Sequence, residues 1–74
     1  MIDLKIKYSD TITIFESDNL GLVVRLCIVM SEKGLDILEY SNNKITVSGL
    51  VPLDNIRNII NEQFNTEVIN LIIS

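Results

Sequence analysis

Between Asp18 and Ile37 the chain runs from a polar turn into an apolar helix, stops at a glycine and enters a strand; this unit limits the possible folds most. Asp18-Asn19-Leu20-Gly21 leads into an almost unbroken apolar run, and Ser31-Glu32-Lys33-Gly34 ends it. The run from Leu20 to Met30 is interrupted by Gly21 and Arg25 and falls far short of the roughly 20 apolar residues that a bilayer requires. It is therefore expected to be a helix packed on protein, with no membrane role. Only Gly21, Arg25 and Glu32 form a polar stripe on it. A helix lying on one side of a sheet needs about 100° of apolar surface, so the excess calls for a second helix and for another chain. Cys27, among Leu26, Ile28 and Val29, is expected to be a small buried hydrophobe without catalytic work.

Strands surround this helix. Thr11 to Glu16 alternates Ile12 and Ile14 against Thr11, Thr13 and Phe15, which predicts a strand with the isoleucines turned to the core. Leu35 to Tyr40 and Lys44 to Val51 are two more, joined at Asn42-Asn43, a pair that tolerates the positive φ of a tight turn. A second helix follows Pro52, with Leu53, Ile56, Ile60 and Phe64 at helical spacing, Asp54 in its first turn and Asn65 as a left-handed stop. Thr66 to Ile73 closes the chain as a strand. The order predicts one domain over 1–74, an α+β fold of the ferredoxin-like βαββαβ kind with both helices on one face of an antiparallel sheet. Residues 2–8 also alternate. Either a turn at Ser9-Asp10 makes them a separate hairpin strand, with Ile2, Leu4 and Ile6 facing away from the core, or a bulge there continues them into one bent first strand. The bent strand is the preferred reading.

A chain of 74 residues buries only about 60% of its unfolded surface, so a homodimer or a tight hetero-complex with another protein is expected. Cys27 is the single cysteine, which excludes an internal disulfide and fits a reducing, cytoplasmic setting. Met1 is followed at once by an alternating segment, so no cleavable leader is expected. The net charge is −4 and the six basic residues are scattered, leaving no stripe for nucleic acid. With no histidine the usual general base and transition-metal ligand are missing. No catalytic residue, metal set or cofactor motif emerges, and no enzymatic activity is expected. Glu16 and Asp18 alone are too few oxygen ligands for a hard cation.

The stretch from Asp18 to Ile37 resembles the first half of an ACT domain, a small module that binds amino acids and regulates metabolic enzymes. The likeness extends over about residues 11–74, the later part by element order and length. It implies a ligand site at Asp18, Asn19, Leu20, Gly21 and Leu22, in which Gly21 lets the backbone meet an amino-acid carboxylate and Asp18 meets the ammonium, with Arg25 one turn on. Capping of the helix by Asp18 explains the same residue without a ligand; Arg25 equally suits an ion pair with Glu32 or with a partner. The family's proline before that glycine is Leu20 here, and the hairpin from Leu35 to Val51 is short. Lys44-Ile45-Thr46-Val47-Ser48-Gly49 with the helix after it is also similar to heavy-metal-associated domains, whose Cys-x-x-Cys pair is absent from Glu16 to Gly21, so metal transport does not follow. The resemblance implies a free-standing regulatory module that senses an amino acid or serves as regulatory subunit of a biosynthetic enzyme. The alternative is a non-catalytic interaction or inhibitor protein that keeps the fold and has lost the pocket.

Overall fold

A computed structural model describes residues 1–65 and 67–74. Its elements are β1 (Ile2–Ser9), β2 (Ile12–Glu16), α1 (Leu20–Glu32), β3 (Ile37–Ser41), β4 (Lys44–Ser48), α2 (Leu53–Gln63) and β5 (Ile69–Ile73). The fold is α+β, with two helices on a mixed five-stranded sheet of order β3-β4-β2-β1-β5. The β1–β2, β2–β4 and β3–β4 pairs are antiparallel, and β1–β5 is parallel. The expectation of four antiparallel strands is thus corrected by one extra strand, β1, seated between β2 and β5. Thr66, the expected start of the last strand, lies outside the described residues.

The bent first strand does not form, and the hairpin turn falls one residue later than Ser9-Asp10. Asp10 takes a left-handed φ of 53°, a conformation its short polar side chain tolerates, and the chain reverses over Asp10 and Thr11. The register pairs Ser9 with Ile12 and Ile6 with Phe15. Because side chains alternate with period two, this single step decides every face. Leu4 and Ile6 join Thr13 and Phe15 on the buried face, while Ile12 and Ile14 lie half-buried on the other. The expected polarity of β2 is therefore inverted. Lys5 and Lys7 supply the reason: they share the parity of Ile14 and Glu16 across the ladder, and a lysine cannot be buried without a partner.

The β3–β4 turn falls at Asn42 and Asn43 as expected, yet neither asparagine has a positive φ. Val47 and Ile45 from β4 meet Leu4, Ile6 and Phe15 in the core, and both helices cover this one face with Leu22, Val23, Leu26, Met30, Ile56, Ile59 and Ile60. Ile56, Ile60 and Phe64 of the expected stripe are buried, Leu53 is half-buried, and Ile59 joins them. The second helix ends at Gln63 with Phe64 as its C-cap, φ −129°; Asn65 is not left-handed.

The end of α1 is the stop that its sequence announces. Gly34 has φ 87°; its N–H donates to Ser31 O at 3.1 Å and Leu35 N–H to Met30 O at 3.0 Å, the paired bonds of a Schellman motif. A side chain at Gly34 meets open space, so the backbone alone resists substitution. Gly34→Ala is expected to lower stability by about 1–2 kcal/mol, read as a shift of the urea midpoint at constant slope.

The loop from β4 to α2 is tied to the first hairpin. Thr13, fully buried, donates its hydroxyl to Gly49 O at 2.8 Å and accepts from Val51 N–H at 2.9 Å. The Tyr8 hydroxyl donates to Val51 O at 2.6 Å. Three buried or part-buried backbone groups are thereby satisfied where no ladder reaches them.

Candidate functional site

The loop into α1 is organised by Ser17. Its buried hydroxyl donates to Asp3 O at 2.7 Å and accepts from Asn19 N–H at 3.1 Å, while its own N–H donates to Asn43 O at 3.0 Å. Ser17 thus joins β1, the β3–β4 turn and the helix entrance. Asn19 is the N-cap: its Oδ1 accepts from Leu22 N–H at 2.9 Å. Capping by Asp18 is therefore corrected. Asp18 is exposed, and its side chain takes no part in the hydrogen bonds at this entrance.

The five residues of the expected ligand loop do not converge. Asp18 and Asn19 border an open depression of about 360 Å³ with Met1, Ile2, Asp3 and Ser17. Leu20 and Gly21 lie outside it, on the exposed surface, and Leu22 is fully buried in the core with its N–H spent on the cap. Two carboxylates, Asp3 and Asp18, border the depression, and Asp3 Oδ1 already accepts from Asn70 Nδ2–H at 3.2 Å; no cationic side chain is there to hold a ligand carboxylate. A Cβ on Gly21 would sit 3.4 Å from Asn19 Oδ1, an ordinary contact. Close backbone approach is not what places a glycine here.

Arg25 does not pair with Glu32. Its Nη1 lies 2.6 Å from Glu67 Oε1, its Nε–H donates to Gly21 O at 3.2 Å, and its guanidinium stands 5.1 Å from the Phe64 ring centroid. The hydrogen bond to Glu67 raises the Arg25 pKa against the opposing desolvation, so this side chain stays charged and engaged. It fastens α1 to the segment after α2. The pairing spans most of the chain, and no local pattern in the sequence announces it.

Beside its exposed polar residues Gly21, Arg25, Ser31 and Glu32, α1 presents an apolar row to solvent. Leu20, Val24 and Ile28 are 52%, 41% and 55% exposed, spaced four residues apart on one helix face. Cys27 borders this row by helical position and is half-buried, not fully buried as expected. The regular spacing was the available signal for this stripe. No group of three or more metal-ligating side chains gathers among the described residues, and no helix among them is long and apolar enough to cross a membrane. No protein-family model matches the chain, and no curated protein or solved structure matches it either.

Proposed function

We propose that the chain is a small non-catalytic regulatory protein, ACT-like in element order, that acts by docking on a separate cytoplasmic polypeptide. The observation that carries this reading is the exposed stripe Leu20, Val24 and Ile28. An apolar helix face of this regularity marks a partner surface, because its burial against another protein releases ordered water at about 25 cal/mol per Å². The succession from β2 through α1, β3, β4 and α2 to β5 parallels a ferredoxin-like βαββαβ arrangement into which β1 is intercalated. The absence of histidine and the lone half-buried cysteine speak for binding over chemistry.

Amino-acid sensing is the second reading: Asp3 and Asp18 suit the ammonium of such a ligand, while no cationic side chain in that depression meets its carboxylate. The two readings separate in one pair of measurements. Val24→Lys with Ile28→Lys should leave the circular dichroism spectrum unchanged and release a protein that the wild-type chain retains from its own cell extract. The same bound set for both proteins, or none for either, removes the docking reading. A thermal-shift screen of the wild type against the amino acids tests the sensor, since a ligand at 100 times its Kd adds about 2.7 kcal/mol to the stability of the native state.

A further inference from the structure

The two rims of the sheet differ. On β3 the ladder is broken by a bulge between Ile37 and Glu39, and Glu39 places a charge on the strand; both devices blunt an edge. On the other rim, β5 has no charge and no proline, and its register with β1 runs unbroken from Ile2↔Ile69 to Ile6↔Ile73. Nothing on this strand discourages another strand from pairing with it.

The free groups of that rim follow from the ladder. Ile2 N–H donates to Val68 O and Ser74 N–H to Ile6 O, both at 2.9 Å. Peptide groups along a parallel strand alternate between its two neighbours, so Val68, Asn70, Ile72 and Ser74 turn theirs to β1. Ile69, Leu71 and Ile73 present N–H and C=O outward. Their side chains share the helix face with Leu4 and Ile6, which stand opposite Leu71 and Ile73. Ile60, Ile69 and Leu71 line an open groove there, rimmed by Arg57 and Asn61, and Ile73 is 47% exposed.

We infer that this rim is where a second copy of the chain docks, β5 against β5, antiparallel and centred on Leu71. In that register Leu71 exchanges both hydrogen bonds with its own copy, and Ile69 exchanges both with Ile73 of the other chain in each direction. Every outward N–H and C=O is then satisfied, which a slip by one residue cannot achieve because it would oppose peptide groups already spent on β1. Isoleucine meets isoleucine and leucine meets leucine on the helix face, so the core continues across the axis. Val68 to Ser74 has no charged side chain, and helical spacing puts Asp54 on the flank of α2 with Arg57, so the facing helices bring no net charge of one sign. The centre of symmetry in the strand is what selects a second copy over an unrelated partner. This dimer leaves the α1 stripe free, since α1 packs toward β3 and β4, and it stands or falls independently of the docking reading.

Sedimentation at micromolar concentration is expected to give the mass of a dimer. Ile73→Pro removes an outward N–H and leaves the β1 ladder intact, and it should halve the mass with no change in circular dichroism. In a Cys27→Ser background, Leu71→Cys should be joined to its copy by a short bifunctional thiol reagent, because a hydrogen-bonded antiparallel pair holds its Cα atoms about 5.5 Å apart. Ile69→Cys should not, as its copy lies about 13 Å along the edge. A monomeric wild type overturns the inference. So does a folded Ile73→Pro that remains a dimer, or cross-linking at Ile69→Cys in place of Leu71→Cys. Should Ile73→Pro fail to fold, the cysteine pair decides alone.

Discussion

Phe15→Ala is expected to leave the protein largely unfolded at room temperature. Phe15 is almost wholly buried near the end of β2, with Ile6 beside it on β1 and Ile45 on β4. Truncating a buried phenylalanine costs about 3–5 kcal/mol, the lost transfer energy plus that of the cavity left behind. Small domains have little more than about 5 kcal/mol in total. The informative control is its neighbour: Ile14→Ala alters a half-buried side chain on the opposite face and should cost no more than about 1 kcal/mol. Urea titrations of the two variants measure the difference. Equal losses would mean that the sheet faces are assigned the wrong way round.

Thr13→Val is the second large effect, although it keeps shape and volume. The hydroxyl that disappears is the partner of both Gly49 O and Val51 N–H, and no water reaches a fully buried residue easily. A buried polar group left without its bond costs about 1–3 kcal/mol. With two groups stranded at once, the upper end of that range applies. Gly49 adds to the sensitivity, because its φ of 89° is held by the bonds on either side of it. Thr13→Ser should restore most of the loss by returning the hydroxyl, and Tyr8→Phe, which removes a single bond to Val51 O, should cost less than Thr13→Val. A valine variant as stable as the wild type would show that the loop is held by packing and not by its hydrogen bonds.

The helix entrance shows how far local sequence reaches. Asp18 and Asn19 are both good N-caps, and their own side-chain preferences do not choose between them. The choice comes from Ser17, tied to Asp3 O on a strand fourteen residues earlier, which holds the chain so that Asn19 meets Leu22 N–H. That choice also scatters the ligand loop, since it leaves Asp18 in the depression, turns Leu20 outward and sinks Leu22 into the core.

By itself the sequence determined what short-range physics controls: the apolar block of α1, its stop at Gly34, the turn at Asn42-Asn43, the helix after Pro52 and the alternation of β1, β2 and β4. Helical periodicity, left-handed glycine and turn chemistry all act within about four residues, so they can be read in place. Only the tertiary structure decided which face of β2 is buried, where β1 sits in the sheet and what Arg25 binds. The first depends on a one-residue shift of the turn to Asp10-Thr11, which reverses every side chain beyond it. The second joins β1 to β5, and the third joins Arg25 to Glu67. These contacts bridge distant segments, and their partners are selected by the closing of the whole core, a condition that no local window of the chain contains.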